Sequence, residues 1–232
     1  MKILPLLTAF ALTSSSMAIN AQQVEVSITN LTQGIYYTPF LVSAHSADMS
    51  LYTLGEAASP ELQMMAEGGD ISGLSMMLSN ANADVMENPA AGLLAPSMTT
   101  MAMLDTTEGN DRLSLVSMLL PTNDAFVGLN SWQIPTEAGT YTFTINAYDA
   151  GTEANDEMIT GGGAPGVAGI PAAPGGNGGS GGTGVTMVEG NMTIHIHRGS
   201  LGDDNMTGGK SDLSNTVHRW LNPVARITVT VM

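Results

Sequence analysis

Apolar residues recur at every second position in six separate stretches, 24–30, 101–104, 113–119, 141–147, 192–196 and 225–231. This spacing constrains the fold more than any other feature of the chain. Successive side chains of an extended backbone point to opposite faces, so Val24, Val26 and Ile28 share one face of a strand whose other face is polar. Several half-buried strands with no long helix between them predict an all-β fold built as an antiparallel β-sandwich.

A short helical insertion interrupts the early strands. Ser59 is a natural N-cap, Pro60 fits the first turn, Glu61 faces the positive end of the helix dipole, and Gly68 and Gly69 stop the helix. A second short helix is expected over 70–79. Met64, Met65, Met76 and Met77 are then expected to pack both helices over one end of the sandwich. The 17 methionines and the scarcity of aromatic residues suggest an adaptable core. Between 161 and 184 about half the residues are glycine, with Pro165, Pro171 and Pro174 among them, which reads as a long flexible loop. The stretch after it supplies only two more strands, so the loop is read as an insertion within one domain covering 22–232. Loop-closure entropy grows slowly enough with length to tolerate it.

The N-terminus reads as a secretory leader over 1–21: Lys2, an apolar run from Ile3 to Leu12, then small polar residues with Ala18 and Ala21 as cleavage positions. The apolar run is too short to cross a bilayer, and no later stretch approaches that length, so no membrane insertion is expected after cleavage. The expected location is secreted or periplasmic. Loss of Lys2 leaves five basic residues against 21 acidic ones, a net charge of −16. That surplus argues against nucleic acid and anionic membranes as partners and suits divalent cations or basic ligands. With no cysteine, an exported fold must hold itself by core burial or by a bound metal.

Two acidic segments each follow an alternating strand: 121–128 (PTNDAFVG) and 149–157 (DAGTEANDE). Carboxylates just past strand ends sit on rim loops, where they can converge without being buried unpaired. Calcium takes six to eight oxygen ligands from such loops, and backbone carbonyls near Ala150 and Gly151 can complete the shell. Acidic turn residues are also the ordinary chemistry of solvated turns.

The stretches 117–128 (SMLLPTNDAFVG) and 149–153 (DAGTE) resemble the two signatures of the spondin N-terminal domain family. Ala44-His45, 55–59 (GEAAS), 66–69 (AEGG) and 197–199 (HRG) agree with it, and the resemblance runs over about 24–231. It implies a C2-like β-sandwich of the kind found in secreted matrix proteins, where it mediates adhesion, and in exported bacterial proteins. It also implies a calcium (Ca2+) site that maps onto Asp124, Asp149 and Glu153, and a cell-surface or matrix ligand as partner. Asp156 and Glu157 are either further ligands or solvated neighbours. The chain departs from the family at three points: Glu153 replaces the usual aspartate, Ala125 stands where animal members have tryptophan, and the disulfides of animal members are missing.

Other constellations compete. His195 and His197 alternate along one strand, share a face and can jointly ligate zinc or copper, with His218 as a third candidate; this is the basis of an alternative reading as a metal-dependent hydrolase. Met98, Met101 and Met103 offer soft thioethers to copper(I), but Met101 and Met103 share a strand face and read as core. Outside the Gly-rich stretch the chain has no Gly-x-Ser-x-Gly elbow, and it has no cysteine nucleophile and no His-Glu-x-x-His motif. A binding module is therefore expected rather than an enzyme, with a structural envelope protein as the remaining alternative.

Overall fold

The computed structural model describes residues 21–232 apart from 177. The leader read over 1–21 lies outside the described residues but for Ala21. Among the described residues no helix is long and apolar enough to cross a membrane.

The chain runs β1 (Gln23–Asn30), β2 (Tyr36–Tyr37), β3 (Leu41–His45), α1 (Pro60–Gly68), α2 (Ser72–Asn80), β4 (Asp84–Glu87), β5 (Thr99–Asp105), β6 (Arg112–Leu120), β7 (Ala125–Gln133), β8 (Gly139–Ile145), β9 (Ala147–Asp149), β10 (His195–Ile196) and β11 (Ala225–Val231). Two sheets form. The smaller has the order β5-β1-β11-β8; the larger has the order β10-β9-β7-β6-β3-β4, with β2 on β6. Every strand pairing is antiparallel. The described residues thus form an all-β sandwich with two short helices, as the alternation requires.

The smaller sheet keeps the simple pattern. Val24, Val26 and Ile28 of β1 and Ile227, Val229 and Val231 of β11 are buried between the sheets against Val42, Ala44, Leu115 and Val127 of the larger one. The larger sheet does not alternate, because β6 is buried on both faces from Leu113 to Leu120. Its second face, carrying Leu41, Val116, Met118 and Phe126, packs under Leu62 and Met65 of α1 and Leu74 and Leu78 of α2. A strand covered on both sides has no solvent face to mark it, and its sequence becomes continuously apolar. The helices therefore cover a face of the sandwich and not one end, which corrects the expected placement.

The helix boundaries follow their caps. Ser59 accepts from Leu62 N, Pro60 opens α1, and Gly69 closes it at φ +72. The methionines are corrected in part: Met65 is fully buried, but Met76 is 66 % exposed. On β5 it is Ala102 and Leu104 that face the core, whereas Met101 (61 % exposed) and Met103 lie on the outer surface. The pairing of β5 with β1 sets this, since Met101 stands opposite Ser27 and Met103 opposite Glu25, both on the polar face of β1. The core is mostly valine, isoleucine and leucine, not methionine.

The Gly-rich stretch is laid against the body by carboxylates. Gly166 N donates to Glu67 Oε2 (2.6 Å) and Gly169 N to Glu153 Oε2 (3.0 Å). Ser180 N and Gly182 N both donate to Asp212 Oδ1, while Ile159 N donates to Asp212 Oδ2. Ile170 is fully buried. Composition predicts a loop with no side-chain mass to anchor it; the anchors are acidic groups elsewhere in the chain that accept its exposed backbone N–H groups. Beyond it, β11 lies between β1 and β8 and completes the smaller sheet.

Candidate metal centre

The turn from β6 into β7 is built by Thr122, whose hydroxyl donates to Leu119 O (2.6 Å) and accepts from Ala125 N. It delivers Asn123 and Asp124 to the start of β7. In the adjacent strand Asp149 stands opposite Ala125, and Ala150 N donates to Asp124 O, so the two aspartates are neighbours across the ladder. After Asp149 the chain reverses through Gly151 at φ +70, whose N–H closes onto Asp149 Oδ1 (2.8 Å). A Cβ at Gly151 would lie 2.7 Å from Thr193 N and 2.8 Å from Asn191 O, so a glycine is needed there for the close approach of 191–193.

The reversal brings Thr152 N (2.8 Å) and Glu153 N (3.2 Å) onto Asp124 Oδ2. Glu153 turns inward, and its Oε2 accepts from Asn123 Nδ2 and Gly169 N. Asp124, Asp149 and Glu153 are 0, 2 and 5 % exposed. Two of their oxygens, Asp124 Oδ1 and Glu153 Oε1, are buried without a hydrogen-bond partner among the described residues. Unpartnered buried acceptors on charged groups are costly and rare.

Proton affinities record that cost. Burial, then the neighbouring Asp149 charge, pushes the Asp124 carboxyl up to about 8, against the pull of the Thr152 and Glu153 N–H groups. Burial likewise pushes Glu153 up to about 7, with Glu67 and Asp156 adding to it and the Gly169 and Asn123 donors opposing it. Both groups hold their protons well above the usual carboxylate range, and a positive charge beside them would favour the ionised form. The donor set is all oxygen, which suits a hard divalent cation such as calcium. Among the described residues, however, no three His, Asp or Glu side chains are grouped to hold a metal ion by themselves.

The neighbouring acids have other duties. Asp156 Oδ1 accepts from Asn123 Nδ2 and Met158 N. Glu157 is buried, with its carboxylate accepting from Leu201 N, Gly202 N and the Ser211 hydroxyl. It staples two later loops. Two residues that sequence reasoning passed over organise the site. Asn123 bridges Glu153, Asp156 and Glu157 N, and Asn155 joins Asp149 Oδ2 to His197 Nε2. The Asn preceding Asp124 within the first signature is the only local signal that marked either. Ala125, the departure from tryptophan, is fully buried between the sheets and belongs to the core.

His195 and His197 do converge: their Nε2 atoms lie 3.8 and 3.9 Å from Asp149 Oδ2. His197 Nδ1 accepts from Gly199 N (2.9 Å), so its Nε2–H donates to Asn155 Oδ1 (3.0 Å), and its ring stacks on Trp220 at 5.0 Å. Burial holds its basicity down to about 4. The ring is a neutral strut with both nitrogens engaged. His195 keeps Nδ1 on Thr193 O (2.8 Å). The pair borders a cleft of about 750 Å³ that also involves Glu157, Glu189 and Arg198. His218 borders a different cavity together with Asp212.

No curated protein matches the chain. A family profile, Spondin_N, matches residues 29–158, more than half of the 232 residues, and that span contains Asp124, Asp149 and Glu153. The chain therefore belongs to the Spondin_N family, whose domains are typically extracellular.

Proposed function

We propose that the protein is an exported, calcium-binding β-sandwich module that engages a cell-surface or matrix ligand, with Asp124, Asp149 and Glu153 contributing side-chain oxygens to one calcium ion. The observation that carries this reading is the pair of buried carboxylate oxygens, Asp124 Oδ1 and Glu153 Oε1, that no donor among the described residues satisfies. A cation is the simplest partner for two such atoms on groups that otherwise avoid ionising. The ion would draw the three side chains together, with backbone carbonyls of the rim turns completing its shell. Its role is structural: it ties the β6–β7 turn, the turn after β9 and the Gly169 region into one rim, and calcium is a weak Lewis acid.

The histidine face supports a zinc hydrolase less well, because ligation through His197 would break its bond to Asn155 or to Gly199 N. Thermal unfolding of residues 22–232 in chelator, then with calcium, zinc or copper, tests the reading. A melting temperature that climbs with calcium and saturates is expected. No response to calcium, or a response to zinc or copper alone, would remove the rim site from consideration.

A further inference from the structure

A second cleft, of about 450 Å³, opens at the side of the sandwich where β8 leaves the smaller sheet and the chain crosses into β9 of the larger one. Trp132, Phe143 and Tyr148 line it, each half-buried, with the exposed Leu54 at its mouth and Asn146 at the crossing. Trp132 and Phe143 lie 4.9 Å apart with their planes tilted by 33°. Gly128 keeps backbone at the cleft surface, since a Cβ there would come 2.7 Å from the Tyr52 hydroxyl.

Three observations bear on what fits there. None of the residues lining the cleft is charged, in a protein whose formal net charge is −15. The Asn146 side chain makes no hydrogen bond among the described residues, although its backbone oxygen accepts from Gly128 N. And β9 pairs with β7 only at Ala125, Phe126 and Val127, so beyond Gly128, whose N–H still bonds Asn146 O, no strand among the described residues pairs with that edge of β7. An added peptide strand would suit a straight open edge, but Ser131 sits at φ +51 and turns its N–H back to Ser114 Oγ, which bends β7 out of ladder geometry at the place where pairing would continue. What remains is an uncharged site of aromatic faces beside the Asn146 side-chain amide. A neutral sugar chain matches it: each ring offers an apolar C–H face to an aromatic ring and a rim of hydroxyls to polar groups.

We propose that this cleft binds a neutral oligosaccharide, with Trp132 stacking on a sugar ring and Asn146 bonding its hydroxyls. The cleft includes none of Asp124, Asp149 and Glu153, although Tyr148 stands one position before Asp149 on β9, and binding there requires no metal chemistry.

The test uses residues 22–232 in millimolar calcium, with cellohexaose, chitohexaose, maltohexaose and xylohexaose as probes, read by calorimetry and by tryptophan emission. The chain has two tryptophans, and Trp220 is buried against His197, so an emission change reports on Trp132. Saturable binding of at least one hexasaccharide at millimolar or lower concentration is expected, with a shift in emission. Trp132→Ala and Asn146→Ala should each weaken it by about tenfold or more. Trp132 also packs on the core, so Asn146→Ala, which removes no internal side-chain bond, carries the test if the first variant fails to fold. Four results would overturn the proposal: no binding of any of the four sugars, unchanged affinity in Asn146→Ala, binding only of a sulfated heparin hexasaccharide, or binding only of an extended decapeptide. None of these would alter a calcium-dependent melting temperature, so the two proposals fail separately.

Discussion

Replacing Asp124 by asparagine should make the metal-free protein more stable while abolishing its response to calcium. The Asp124 carboxyl is fully buried, and its proton affinity moves from 3.8 when exposed to about 8 in the fold. A carboxyl raised in this way favours the fold fully below pH 3.8 and loses that contribution as pH climbs to about 8. At about 1.4 kcal/mol for each pH step, the loss is on the order of 5 kcal/mol. Asparagine removes the charge, keeps an oxygen for Thr152 N and Glu153 N, and places an N–H₂ group where Oδ1 has no partner. In chelator at pH 8 the variant should therefore melt higher than the parent, by roughly 5–10 °C if only half the penalty is recovered, at about 2–4 °C per kcal/mol for a chain of this size. The parent should lose stability steadily from pH 4 to 8 in chelator, and the variant should show a shallower slope. In calcium at about a hundred times its dissociation constant the parent gains about 2.7 kcal/mol and the variant gains nothing. Differential scanning calorimetry over that pH range is the assay. A variant that melts below the parent in chelator at pH 8, or one that keeps the calcium shift, would refute both the electrostatic reasoning and the site.

Tyr37→Phe removes a buried hydroxyl that donates to Val224 O at 2.6 Å, a carbonyl that retains Leu31 N as a donor. It should cost about 1 kcal/mol, seen as a lower urea midpoint with an unchanged slope; an unaltered midpoint would mean the bond adds nothing. Gly151→Ala forces a side chain into the left-handed region at φ +70 and against 191–193, and should cost about 1–3 kcal/mol in the same assay. A loss no greater than that of a surface substitution would show that the turn after Asp149 is less constrained than its geometry implies.

The smaller sheet was readable in advance because one of its faces meets water, so β1, β5 and β11 keep a period of two. β3 and β7 were missed for the opposite reason. LVSAH of β3 is buried at every position, and β7 begins within a signature that reads as a loop because Pro121, Asn123 and Asp124 precede it. The 192–196 stretch alternates but pairs only at His195 and Ile196, since alternation shows that a strand is compatible and not that a partner is available. Met101 and Met103 were assigned to the core by hydrophobicity, yet register fixed by Val24, Val26 and Ile28 turns them outward. Of the site, the three carboxylates came from the resemblance, and the fold makes Asp124 and Asp149 neighbours. Asn123, the Asn155–His197 link and the stapling role of Glu157 were not legible, because each depends on contacts between segments 30 to 54 residues apart.

The position of β11 governs when the fold can exist at all. Val231 pairs with Val24, residues separated by about two hundred positions, and the same strand also supplies the neighbour of β8. Until β11 is available, β1 and β8 have a vacancy between them, and Val24, Val26 and Ile28 lack the neighbouring Ile227, Val229 and Val231. A polypeptide emerging N-terminus first therefore cannot complete the smaller sheet before β11 follows, which makes closure of the sandwich depend on contacts across nearly the whole described chain.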